Sequence, residues 1–200
     1  MKVLLNRLDL ILDRIENPRF LNNDGLGNEI GFWIFDYPAK QELVVREYLT
    51  HLTEKLNKHH HQFVTVNIYQ TIIDMLASRG LLERTFSREK EVGVEAVRKT
   101  LSGPLSQKKI AEYIAEQIKP DALDFVLFTG LGNAWPLVRG HELLSALQDV
   151  MGKTPLILFY PGEYSGRDLH PFGMIDSKNY YRAFKLVPED GKNTKVANVL

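Results

Sequence analysis

Four short runs of apolar residues with little polar alternation constrain this chain more than anything else in it: Phe32–Phe35 (FWIF), Phe63–Ile68 (FVTVNI), Asp124–Thr129 (DFVLFT) and Leu156–Tyr160 (LILFY). A strand with one wet face alternates polar and apolar residues, so runs of this kind belong to a sheet covered on both faces. Helical periodicity fills the segments between them. From about Lys40 to Leu56, Val45, Leu49, Leu52 and Leu56 give one buried stripe, and Glu142 to Met151 reads as another helix. Strand, helix and strand in that order call for crossover connections, which make the strands parallel. The expected fold class is α/β, a mainly parallel sheet of about five strands flanked by helices, with Tyr180–Val187 supplying the fifth strand.

The remaining segments fit around that sheet. Leu4, Leu8, Ile11, Leu12 and Ile15 recur at helical spacing between Arg7, Asp9, Asp13 and Arg14, which predicts an amphipathic N-terminal helix with the charged residues facing water. Asn17-Pro18 stops that pattern, and the Asn- and Gly-rich stretch at 22–31 reads as a loop. A helical insertion spans about 70–119 and is punctuated by Gly80, Gly93 and Ser102-Gly103-Pro104. One domain covers residues 1–188, and the polar residues 189–200 read as a frayed tail.

Composition excludes several chemistries. The absence of cysteine removes disulfides, thiolate zinc sites and thiol catalysis. Lys+Arg 25 balance Asp+Glu 25, so no global basic excess is available for a nucleic-acid backbone. No run approaches the roughly 18 apolar residues of a membrane span, and the charged N-terminus lacks a signal-peptide core, so a cytoplasmic location is expected.

Ligands of open parallel sheets bind beyond the carboxyl ends of the strands, which directs attention to those junctions. Asp36, Lys40, Gly130, Gly132, Asn133 and Arg139 are the candidates for a strand-end pocket. The turn Asp36-Tyr37-Pro38-Ala39-Lys40 has the strand–loop–helix order of a phosphate-binding loop, but it has no glycine and no Gly-Lys-Ser/Thr ending. Asp36 reads as a helix N-cap and Lys40 as a solvated residue of the first turn. Gly130-Leu131-Gly132-Asn133 has two glycines at dinucleotide-fingerprint spacing, yet Trp135 stands where the third belongs, so a tight structural turn is the better reading. His59, His60 and His61 lack the i, i+4 geometry of a helical metal site, and no metal or other cofactor is expected. Arg139-Gly140-His141-Glu142 opens a helix without a nucleophile beside it. Trp135, Tyr160, Tyr164, Arg167, Tyr180, Tyr181 and Arg182 interleave aromatic rings with arginine and are the candidates for a protein interface, with core packing of most rings as the alternative.

Three segments carry a resemblance to a known family: 25–49 (GLGNEIGFWIFDYPAKQELVVREYL), 128–148 (FTGLGNAWPLVRGHELLSALQ), and the stretch from Leu156 with LILFYPGEYSG, HPFG and NYYRAFKLVP. Together they resemble BrxB, a small family encoded in BREX bacteriophage-exclusion clusters, from about Asn6 to Pro188. That resemblance implies a part in defence against phage alongside a phosphatase-like protein, a DNA methyltransferase and large ATPases. It brings no catalytic residues. It also implies a strand order like that of a phosphate-loop ATPase core whose phosphate loop is missing. The expected function is a non-catalytic assembly subunit bridging the methyltransferase or phosphatase-like component to the complex, with homo-oligomers possible. The alternatives are a degenerate nucleotide-binding module, and a DNA-contacting subunit using the Lys/Arg-rich segment Arg84–Lys109, whose Glu89, Glu91 and Glu95 make its charge mixed.

Overall fold

The computed structural model describes residues 2–23, 31–175 and 181–189. Three short helices, α1 (Lys2–Asp9), α2 (Ile11–Ile15) and α3 (Pro18–Leu21), lead to β1 (Phe32–Tyr37), α4 (Glu42–Lys58) and β2 (Phe63–Asn67). Four helices follow: α5 (Ile68–Ser78), α6 (Leu82–Val92), α7 (Val94–Leu101) and α8 (Gln107–Ile118). The chain continues through β3 (Phe125–Thr129), α9 (Leu131–Ala134), α10 (Gly140–Gln148), β4 (Leu156–Tyr164), β5 (Leu169–Pro171) and β6 (Phe184–Lys185).

Local chemistry moves two boundaries from where the apolar pattern put them. Asn17-Pro18 ends one helix and also starts the next: the Asn17 side chain accepts from the Arg19 N–H at 2.9 Å, and Pro18 stands at the first helical position, where its fixed φ is an advantage. Likewise Ile68 leaves the strand, because the Asn67 side chain accepts from the Gln70 N–H at 3.1 Å and caps α5 directly off β2.

The sheet order is β2-β3-β4-β1-β6, and all of these pairings are parallel. Alternation along each strand divides the core in two. Phe32, Ile34, Val126, Phe128, Leu156 and Leu158 face α5–α10, whereas Trp33, Phe35, Phe125, Leu127, Ile157 and Phe159 face α1–α4. The runs in β1, β3 and β4 are buried on both faces, as expected, whereas β2 at the edge of the sheet leaves Thr65 and Asn67 exposed. The fifth strand shrinks to Phe184–Lys185 beside β1.

Connections leave the sheet in opposite directions. β1 crosses through α4 on one face to reach β2, while β2, β3 and β4 are joined through α5–α10 on the other. The boundary between β4 and β1 is thus a switch point, where open α/β sheets hold their ligands.

Here β4 departs from the expected strand ending at Tyr160. It runs on through Pro161 and Gly162 to Tyr164 and pairs back, antiparallel, with β5. Gly162 permits this return, since a Cβ there would lie 2.3 Å from the His170 carbonyl oxygen.

Candidate functional site

The strand-end centre is built around Asp36, which is not a helix cap. It lies inside β1, 4% exposed, and accepts a hydrogen bond from the Arg7 guanidinium at 2.7 Å. Its other oxygen accepts from the Tyr164 N–H at 3.0 Å and from Lys185 Nζ at 3.2 Å. Arg7, 5% exposed, also donates to the Val187 carbonyl through Nε at 3.0 Å and Nη2 at 2.9 Å, and its guanidinium carbon stands 4.8 Å from the Phe35 ring centroid. Arg7 is therefore not on the solvent face of the N-terminal helix. It falls three residues after Leu4 and four before Ile11, on the apolar stripe, and that position is the signal the charge pattern obscured.

This network ties together α1, β1, the end of β4, β6 and the segment after β6. A buried carboxylate that is already paired and hydrogen-bonded is satisfied. Tyr160 lies close by, with its ring 2% exposed and its hydroxyl without a partner among the described residues. Burial pushes that hydroxyl's pKa up, and the Asp36 carboxylate adds to the rise, so no phenolate base forms here near neutral pH.

Around this centre lies a hollow of about 480 Å³ lined by Asp36, Lys40, Glu163, Phe172, Met174 and Glu189, among others. Arg7 and Lys40 share its lining with Asp36, Glu163 and Glu189, a lining of mixed charge. Among the described residues no group of three or more His, Asp or Glu side chains could hold a metal ion.

The other pocket candidates lie elsewhere. Gly130 lines a groove under α4 with Asn67 and Thr129, and Arg139 lines a separate cleft between α7, α8 and α10. Gly130 is a structural turn with φ +74, and a Cβ there would come within 2.3 Å of Asn67 Oδ1. Gly132 is pressed against Pro161, and Asn133 accepts from Arg46 Nη2 at 3.2 Å. The residues proposed as one pocket are thus divided among three places, because the turn after β3 folds back against β2 and β4 instead of opening over β1.

The aromatic candidates require a larger correction. Tyr160, Tyr164 and Tyr181 are buried and cannot form an interface. The Tyr164 hydroxyl lies 3.1 Å from the Tyr181 carbonyl, 2.9 Å from the Ala183 carbonyl and 2.9 Å from the Ala183 N–H, which fixes the approach to β6. Tyr180 lies outside the described residues. Arg167 and Arg182 are exposed, and Trp135 is 41% exposed. Trp135 meets the Phe172 ring edge-on, with centroids 5.9 Å apart, and Met174, 83% exposed, follows on the same loop at the rim of the strand-end hollow.

Two residues of the histidine triplet, His59 and His61, have a structural role. His59 hydrogen-bonds Glu16, His61 Nε2 lies 3.5 Å from the same carboxylate, and His61 Nδ1 lies 3.7 Å from Asp124. The His59 bond lowers the Glu16 pKa below its ordinary 4.5 in spite of partial burial. A carboxyl depressed in the folded state contributes stability that is present above its unfolded pKa and is lost as pH falls through the folded value. Urea unfolding between pH 5 and 3 is therefore expected to show a shallower loss of stability in Glu16→Gln than in the parent chain.

Fold and site together define a doubly wound α/β domain whose strand-end centre is filled by a buried ion pair of its own, beside an exposed aromatic rim. Comparison with known proteins identifies its kin. A family model described as "BREX protein BrxB" matches residues 64–186. A BREX protein BrxB of Escherichia coli O9:H4 (strain HS) is 60% identical over 189 residues, 94% of each chain. Another from Bacillus cereus (strain H3081.97) is 36% identical over 195 residues, covering 94% of this chain and 99% of that one. No solved structure matches. The chain belongs to the BrxB family of BREX proteins, consistent with a role in a BREX defence system.

Proposed function

We propose that this protein is a non-catalytic assembly subunit of a BREX antiviral defence complex, bridging the methyltransferase or phosphatase-like component to the rest. The observation that carries this reading is the pairing of a filled strand-end centre with an exposed rim. Asp36 is held by Arg7 and Lys185, while Trp135, Phe172 and Met174 stand at the surface next to it. Partly exposed tryptophan and methionine are the side chains that protein interfaces favour, and a tryptophan packed on a neighbouring ring is preorganised for such a contact. Membership of the family points to other BREX components as the partners.

The sheet, with β1 entering the Pro38–Gln41 turn and then α4, supports reading it as a phosphate-loop ATPase-like core without the loop. A nucleotide at that turn is disfavoured by chemistry: Pro38 offers no N–H, and the buried charge nearest the turn is a carboxylate. Among the described residues no helix is long and apolar enough to cross a membrane, and assembly in the cytoplasm fits the proposal.

The test is affinity purification of the tagged protein from cells expressing the whole cluster, with nuclease present. Stoichiometric recovery of another BREX component is expected. Trp135→Ala is expected to weaken that capture by about 30-fold, the scale of a central interface residue. Capture unchanged by both Trp135→Ala and Met174→Ser would remove this rim as the interface. Asp36 variants are unsuitable controls, since they act on the fold.

A further inference from the structure

A second cleft, of about 480 Å³, opens between the α7–α8 turn and the start of α10. Arg98, Lys99, Ser106, Gln107, Arg139 and Glu142 are among its lining residues. Three cations thus face it with one carboxylate. Arg98 is held by Glu95 at 2.9 Å, Arg139 lies 4.0 Å from Glu142, and Lys99 has no ion pair among the described residues. His141, next to Arg139, has its pKa lowered by burial and adds no positive charge near pH 7.

Two helices also begin at this cleft. The N-caps of α8 and α10, Ser106 and Arg139, both line it, and neither makes a side-chain capping hydrogen bond, so first-turn N–H groups of both helices lack that partner. Each such terminus carries roughly half a positive charge. Two lining residues carry unsatisfied atoms: Arg98 Nε, a donor, and Gln107 Oε1, an acceptor, are shut from solvent without a hydrogen-bond partner among the described residues. The Gln107 orientation is set by its Nε2, which donates to the Leu137 carbonyl at 3.3 Å. Three cations and two helix starts gathered on one cleft are the complement of an oxyanion, to which the acceptor Gln107 Oε1 contributes nothing.

We infer that this cleft binds a phosphate group, carried either by a free nucleotide or by a nucleic-acid strand. The cleft lies between the helical insertion and α10, away from the β1 turn where a phosphate-loop protein would hold one. Trp135 is not among its lining residues, although the adjoining Pro136 and Leu137 are.

The experiment is calorimetric titration of the full chain at low salt with ATP, with pyrophosphate and with a short DNA duplex. Saturable binding of at least one probe is expected, weakened about tenfold or more in Arg98→Gln/Arg139→Gln because two charge-assisted contacts are lost. Glu142→Gln, which removes the one opposing carboxylate in the lining, is expected to tighten the same binding about twofold. ATP and pyrophosphate binding without duplex binding would assign the phosphate to a free nucleotide. Duplex binding with a steep salt dependence and the same arginine sensitivity would assign it to a strand. No saturable binding of any probe would overturn the inference. So would binding that the double variant leaves within about twofold of the parent, or binding lost through Lys40→Gln instead.

Discussion

Asp36→Ala is expected to cost the folded protein about 3–5 kcal/mol, read as a lower urea midpoint with little change in slope. The magnitude separates two accounts of the residue. Loss of an N-cap costs about 1 kcal/mol, whereas removal of one partner from a buried ion pair leaves an uncompensated charge. Here the stranded group is Arg7, 5% exposed, which would retain the Val187 carbonyl as its hydrogen-bond partner among the described residues. The Tyr164 N–H and Lys185 would lose their carboxylate as well. Arg7→Met should be similarly costly, and the double variant Arg7→Met/Asp36→Ala should cost clearly less than the sum of its singles, because the two groups act as one unit. A loss near 1 kcal/mol for Asp36→Ala, with additive singles, would show that the pair contributes little.

Phe125→Ala is expected to cost a comparable amount, about 3–5 kcal/mol, for a different reason. Phe125 is fully buried in β3, stacked on Phe63 with centroids 5.4 Å apart and met edge-on by Phe20 at 5.6 Å and His61 at 5.7 Å. Truncation opens a cavity where α3, the α4–β2 turn and the sheet meet, and rigid neighbours cannot fill it. Phe86→Ala is the matched contrast. It removes the same ring from α6, which buries none of its residues, and it should change stability by no more than about 0.5 kcal/mol. Chemical denaturation of the two variants side by side checks both values.

Much of the architecture was legible in the apolar runs, because a sheet covered on both faces leaves an unambiguous mark. The β4 run could be read only as far as Tyr160, since Pro161-Gly162 looks like a turn by composition. In the fold, that glycine admits β5 against it. The family resemblance was also legible, in phrases such as Phe35-Asp36-Tyr37-Pro38 and Thr129-Gly130-Leu131-Gly132-Asn133.

The site was legible in part. Asp36 and Lys40 do share the strand-end hollow, and Trp135 does stand at the surface. The interface tyrosines were misplaced because an aromatic ring reads the same in sequence whether it packs inward or outward. Tyr160, Tyr164 and Tyr181 became core residues only when β5 and the approach to β6 closed over them.

By itself the sequence determined the α/β class, the parallel sheet and the family, since each depends on local periodicity or on contiguous residues. Only the tertiary structure decided that Arg7 meets Asp36 across 29 positions and Val187 across 180. It alone decided that Arg98 and Arg139 line one cleft. These are encounters between residues distant in the chain. Their geometry comes from how the two helical layers pack on the sheet, and no local pattern encodes that.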